Sequence, residues 1–172
     1  MPAEWEPHEA TWIGWPHNIT DWPGKFAPIP WVYGEIVRKL IEGEKVRVLV
    51  DSAVQETKAR RVLKKVGADS EQVEFFHVPT NRGWTRDFSP TFVKKSTSLS
   101  TPGKRTKNAD SVAAIRFRFS AWAKYPDWPL DDQASGKVIE ALGCHAFAPQ
   151  WQGRDVVLEG GSIDGNGRGC ML

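Results

Sequence analysis

The sequence predicts a mixed α/β fold, α+β in its layering, and three observations carry the prediction. β-Branched runs alternate along the chain with segments whose apolar residues recur at i, i+3, i+4 and i+7. Pro16, Gly43, Gly67 and Pro79 punctuate the ends of those segments. The composition is that of a globular chain: 172 residues, 40% hydrophobic and 26% charged, enough for a single domain with a sizeable core.

The elements follow in order. Ala10 to Trp15 reads as a strand closed by Pro16, and the Pro-, Gly- and Trp-rich stretch 17–30 reads as a loop. Tyr33, Ile36, Val37, Leu40 and Ile41 form one helical face, with Gly43 in the C-cap position. Lys45 to Val50 (KVRVLV) is an alternating, β-branched strand. Ser52 and Gln55 have capping-box spacing ahead of a helix whose face is Ala59, Val62, Leu63 and Val66, ending at Gly67. Val73 to Val78 is a strand stopped by Pro79. Trp84 to Lys94 and Val112 to Phe119 read as two strands joined by a polar insert over 94–110. Pro129 to Leu142 is a helix with Leu130, Ala134, Val138 and Leu142 on one face, and short strands close the chain at His145–Ala148 and Asp155–Ile163. The order β-α-β-α-β-β-β-α-β-β implies sheet covered by helices.

Several functions lose their support at this level. A net charge of +2 is too small to argue for a nucleic-acid partner. The insert KKSTSLSTPGKRTKNAD carries five basic residues; it reads as a phosphate-contacting arm or as a solvated hairpin insertion, and the absence of interleaved aromatics favours the second. No apolar run has the length of a membrane span, and no signal peptide opens the chain. Two cysteines, Cys144 and Cys170, give no disulfide framework, so the expected compartment is a reducing cytoplasm. No metal-ligand cluster is visible and no cofactor is expected. The sequence is compatible with a homo-oligomer without specifying one.

Two stretches place an acid among structure-forcing residues. Gly83-Trp84-Thr85-Arg86-Asp87-Phe88-Ser89-Pro90 offers an indole and a carboxylate on a proline-closed segment. Leu158-Glu159-Gly160-Gly161 offers a carboxylate beside glycines that permit close backbone approach. Two carboxylates and an indole suit a flat cation, since a carboxylate binds guanidinium bidentately and a ring supplies a cation–π face. The plainer readings are an Asp87–arginine ion pair and a surface acid before a turn.

Four segments in order, MPAEWEPHEATWIGWP, NRGWTRDFSPTFV, FRFSAWAKYPDWPLDDQ and VVLEGGSIDGNG, resemble the agmatine deiminase and bacterial, Porphyromonas-type peptidylarginine deiminase family. The resemblance runs from Met1 to near Gly167. It implies a pentein fold, ββαβ-type units around a pseudo-fivefold axis, of which this chain would be about the first half. It implies a guanidine C–N hydrolase acting on agmatine or an arginine-like group, as in putrescine and polyamine biosynthesis. In such a reaction a cysteine thiolate attacks the guanidinium carbon and a histidine moves protons. Carried over by motif, Asp87 would bind the guanidinium, Trp84 would line the pocket and Glu159 would be a second, supporting acid. Trp15 or Trp22 would line the amine-binding end.

The resemblance also implies residues that the sequence does not supply. The family's histidine belongs to a G-H-x-D motif beyond E-G-G and its cysteine lies near a later C-terminus. His8, His17, His77 and His145 lie in no such context. Cys144 reads as a small buried thiol, and Cys170 lies third from the end. Ser89 stands where the family has glycine, and E-G-G-S-I-D runs straight into Gly165. The Asp164-Gly165-Asn166-Gly167 turn chemistry leaves only Arg168 to Leu172 as a return arm. The expectation is therefore a truncated chain carrying the substrate-binding part of the site and inactive alone, or else a non-catalytic guanidinium- or amine-binding module.

Overall fold

The computed structural model describes residues 1–94 and 112–172. The expected insert, 94–110, therefore lies outside the described residues apart from Lys94. Strands β1 (Ala10–Gly14), β2 (Lys45–Val50) and β3 (Val73–His77) form a parallel sheet in that order. Helix α1 (Ile29–Leu40) connects the first two, and α2 (Ala53–Val66) the second two. The register sets Trp12 beside Arg47 and Val48 beside Phe75.

The central strand shows why KVRVLV had to be a strand. Val46, Val48 and Val50 turn to one face and are fully buried against Val37, Ala59 and Leu63 of the two helices. Leu49 turns to the other face and joins Trp12, Phe76, Val78, Phe88 and Phe119 in a second core. A strand buried on both faces favours parallel pairing with its neighbours. On α1 the core-facing residues are Tyr33, Val37, Leu40 and Ile41, whereas Ile36 is 44% exposed.

The capping expectation for α2 is met at Ser52, while Gln55 reaches one residue further back than a capping box does. Ser52 Oγ accepts the Gln55 N–H at 3.4 Å, and Gln55 Oε1 accepts the Asp51 N–H at 2.6 Å. Gly67 closes the helix at φ +74°.

Beyond β3 the chain departs from the expected strands. Thr85–Phe88 is a single helical turn (α3), and only Thr91–Lys94 is extended (β4). The turn forms because the Trp84 carbonyl accepts the N–H groups of Asp87 and Phe88, and because Phe88 is thereby buried. Strand β5 stops at Ile115 (Val112–Ile115) rather than at Phe119. It pairs antiparallel with β4 and parallel with β6 (His145–Phe147), which follows α4 (Pro129–Leu142).

The expected strand Asp155–Ile163 is also replaced. Gln150–Trp151 (β7) and Arg154–Asp155 (β8) make a two-residue hairpin around Gln152 and Gly153, both at positive φ. Val157 contributes one bridge to Arg118, and Gly160–Ser162 is a single 3-10 turn. The C-terminal hairpin does close on its short return arm. Asp164 and Leu172 exchange both backbone hydrogen bonds at 3.0 Å, and Gly165 bridges Met171.

Candidate functional site

The first acid motif is held at the end of β1. Gly83 lies so close to Gly14 that a Cβ on Gly14 would come within 2.9 Å of the Gly83 Cα. Thr85 Oγ1 donates to the Trp12 carbonyl at 3.3 Å. From below, Asp131 in the first turn of α4 fixes the approach: its Oδ1 accepts the Asn81 N–H at 2.6 Å and the Arg82 N–H at 3.2 Å. Asp131 is 1% exposed, and burial pushes its carboxyl up to about 6, against the pull of those two N–H groups. Asp132 holds the next segment by accepting the Phe119 N–H at 2.8 Å.

The second motif docks on the first. Arg86 Nε donates to the Gly160 carbonyl at 3.0 Å and Nη2 to the Ile163 carbonyl at 3.3 Å. Gly160 and Gly161 are required by this approach. A Cβ on Gly160 would collide with the Arg86 carbonyl, and one on Gly161 would lie 2.7 Å from Asp87 Oδ1. The 3-10 turn that begins after Glu159 thus rests against the turn carrying Asp87, so the two acids 72 positions apart come from touching segments. Arg86 pairs with Glu4. Burial raises the Asp87 carboxyl above its ordinary range, opposed by the Arg86 charge and by the Gly161 N–H. A partly desolvated carboxylate with an incomplete counter-charge favours a cation. Among the described residues the half-buried Glu159 carboxylate takes no side-chain hydrogen bond, while its carbonyl accepts Ser162 Oγ at 2.7 Å.

Trp84 caps the Asp87 turn and opens on a cavity of about 320 Å³ with Trp22, Tyr125, Arg82, Asp21 and Thr20. Its ring lies 5.3 Å from Tyr125 and 5.5 Å from Trp122. Trp15 is placed elsewhere: it is 3% exposed, in the first core beneath α1, edge-on to Tyr33. Trp22 does reach the cavity, held by Phe26 and Tyr33.

Two features of the site were missed in the sequence. Arg82 is paired with Asp21 and with Asp127 at 3.1 Å, and its guanidinium lies over Trp84 and Tyr125. Ala121, Trp122 and Ala123 all have positive φ, 46° to 57°, a conformation that costs non-glycine residues about 1–2 kcal/mol each. That turn presents Trp122, 50% exposed, against Trp84. The signal that could have been read is the acidic first turn of α4, which invites donors from preceding loops.

Among the described residues no histidine or cysteine hydrogen-bonds or ion-pairs with Asp87. His17 contacts the Trp15 and Thr80 carbonyls, His77 pairs with Glu56 at 2.7 Å and His145 stacks edge-on with Phe147. His8 lines a mainly apolar hollow of about 440 Å³ that Arg86 and Gly160 also border. Cys144 is half-buried between α4 and β6, and Cys170 is exposed on the terminal hairpin. Among the described residues no group of three or more His, Cys, Asp or Glu could hold a metal ion, and no helix is long and apolar enough to cross a membrane.

Comparison with known proteins gives a consistent result. The sequence profile of the Porphyromonas-type peptidyl-arginine deiminase family matches residues 1–172. The chain is 33% identical to an agmatine deiminase of Medicago truncatula and 28% identical to one of Ectopseudomonas mendocina. All of the chain aligns in both cases, over 43% and 42% of those proteins. The solved C. jejuni agmatine deiminase with substrate bound superposes with a TM-score of 0.71 at 26% identity, covering 99% of this chain and 44% of that one. The chain thus spans less than half the length of these relatives, and its architecture is the corresponding part of their pentein fold.

Proposed function

Since the chain belongs to the Porphyromonas-type peptidyl-arginine deiminase family, we propose that it supplies the cation-binding wall of a guanidine hydrolase acting on agmatine or a similar small guanidinium. The overall reaction adds water to the guanidinium carbon and releases ammonium, leaving a ureido group. In this reading Asp87 takes the guanidinium N–H groups bidentately, Glu159 is a second acid beside it and Trp84 closes one side. The observation that carries the reading is the docking of the Gly160–Gly161 turn on the Arg86–Asp87 turn, which brings two acidic motifs together while Arg86 is shared with Glu4. Its product would enter polyamine synthesis, and two free thiols fit a reducing cytoplasm.

None of the chain's own residues is assigned as nucleophile or proton carrier. Cys170 sits exposed on the terminal hairpin and Cys144 follows the end of α4, which favours a second reading: Asp87, Glu159 and Trp84 bind guanidinium without turning it over. Calorimetry with n-butylguanidine tests the first step. Saturable binding that Asp87→Asn abolishes is expected, and no heat from the wild-type chain sinks the reading. An ammonia-release assay with agmatine checks the assignment of no nucleophile, with no release expected from the 172 residues alone.

A further inference from the structure

Glu159 sits on a segment with little secondary structure of its own. Between β8 and the terminal hairpin the chain makes one bridge, at Val157 to Arg118, and then the single turn Gly160–Ser162. Inside that turn the Ser162 N–H reaches the Glu159 carbonyl at 2.9 Å, and the Ile163 N–H reaches the Gly160 carbonyl only at 3.5 Å. So short a 3-10 turn has weak hydrogen-bond geometry and depends on its surroundings. Among the described residues, the hydrogen bonds that tie it to the rest of the fold come from Arg86 and Asp87. Arg86 Nε donates to the Gly160 carbonyl at 3.0 Å and Nη2 to the Ile163 carbonyl at 3.3 Å, while the Gly161 N–H donates to the Asp87 carboxylate. The Arg86 carbonyl leaves no room for a Cβ on Gly160. The same guanidinium also pairs with Glu4, so three segments remote in sequence meet on one side chain.

We propose that Arg86 is a positioning residue: its guanidinium fixes the Glu159 turn against the Asp87 turn, and Glu4 holds that guanidinium in place. The inference rests on the guanidinium reading of Asp87 and Glu159. Arg86 directly precedes one acid and Gly160 directly follows the other, so the bonds between them set the spacing of the pair. A planar fork of donors can hold two carbonyls and a carboxylate at once, which an ammonium on a flexible stem does not reproduce. By charge alone Arg86 is unfavourable here, because a positive group beside Asp87 opposes a cationic ligand. Glu4 offsets that charge. Arg86 and Glu4 are 55% and 51% exposed, so their pairing adds little to overall stability. What the contacts provide is local placement.

The sign of one substitution separates placement from charge. Calorimetry with n-butylguanidine is run on the wild-type chain, Arg86→Gln, Arg86→Lys, Glu4→Gln, Glu159→Gln and the double variant Arg86→Gln/Glu159→Gln. Removing a positive charge beside Asp87 strengthens cation binding, whereas releasing the Glu159 turn weakens it. The proposal predicts that Arg86→Gln binds about tenfold more weakly than wild type. Arg86→Lys keeps the charge without the fork and should lose a similar factor; Glu4→Gln should lose about two- to threefold. The double variant should bind no more weakly than the weaker single variant, because both changes act through one contact. Urea midpoints close to wild type for these exposed substitutions show that the losses are not unfolding. Should Arg86→Gln unfold, Arg86→Lys and Glu4→Gln carry the test. Arg86→Gln or Arg86→Lys binding as tightly as wild type, additive losses in the double variant, or a Glu159→Gln variant that binds like wild type overturns the positioning role and leaves Asp87 as the cation site. No binding by the wild-type chain overturns both.

Discussion

Replacing Asp131 tests how the Asp87 turn is held. Two substitutions separate its roles. Asp131→Asn keeps an oxygen for the Asn81 and Arg82 N–H groups and removes a buried charge; Asp131→Ala removes both. The sign follows from the raised carboxyl, about 6 in the fold against an ordinary 3.8. Below the lower value the group is protonated in folded and unfolded chains alike. Between the two the fold retains a proton that the unfolded chain has lost, so its contribution to stability declines as pH rises through that window. The full decline is roughly 3 kcal/mol above pH 6; with the side chain 1% exposed, solvent screening does not reduce it. The stability difference between Asp131→Asn and wild type should therefore move in the variant's favour by up to roughly 3 kcal/mol from pH 4 to pH 7. Asp131→Ala strands two N–H groups and should cost about 2–4 kcal/mol at pH 4. Urea unfolding at four or five pH values, followed by tryptophan fluorescence, measures both. Parallel wild-type and Asp131→Asn curves would refute the buried-charge reasoning. An alanine variant as stable as wild type at pH 4 would refute the clamp.

The other expectations concern the two docked turns and the exposed surface. Gly160→Ala forces a methyl into the Arg86 carbonyl, so it should destabilise by about 1–3 kcal/mol and weaken butylguanidine binding together; an unchanged urea midpoint contradicts the docking. Ala123→Gly relieves a φ of 55° and should raise stability by about 0.5–1 kcal/mol after the entropic cost of glycine, measured by the same unfolding. Asp87→Asn should abolish guanidinium binding without lowering stability, because it removes a carboxylate that burial already disfavours. Phe147, Trp151, Val157, Met171 and Leu172 are 48% to 89% exposed, and exposed large apolar side chains promote association; sedimentation should show self-association that rises with concentration, and a monodisperse monomer contradicts it.

The first sheet was legible because each of its elements is decided locally. Valines at every second position of β2 and a capping pair at Ser52 and Gln55 admit one reading, and the contacts only confirm it. The helical turn Thr85–Phe88 was not legible, since Trp, Thr, Phe and Val are residues that strands favour. What overrides that preference is the burial of Phe88 in a core assembled from distant residues, Val138 and Trp12 among them. The strand read through Asp155–Ile163 failed for a related reason. Gly160 and Gly161 serve a close approach to Arg86 and Asp87, and that approach bends the chain where an isolated reading extends it. Trp15 and Trp22 look alike in sequence; only the packing of α1 against β2 sends one into the core and leaves the other at the cavity.

The Ala121–Ala123 turn gives this pattern a functional meaning. Three consecutive left-handed non-glycine residues cost several kcal/mol at about 1–2 each, and such strain persists only where surroundings impose it. Here the surroundings are identifiable. Asp132 pins the Phe119 N–H on one side, Lys124 donates its N–H to the Ala121 carbonyl, and Phe119 and Ala121 are buried. The outcome is an indole kept half in solvent against Trp84, where burial alone would have pulled it inward. An exposed, strained tryptophan set against Trp84 is a poor arrangement for stability and a good one for receiving a cation. If that is why it exists, saturating agmatine should quench Trp122 fluorescence, read as the difference between wild type and Trp122→Phe. Identical quenching in both proteins would leave the strained turn with no part in binding.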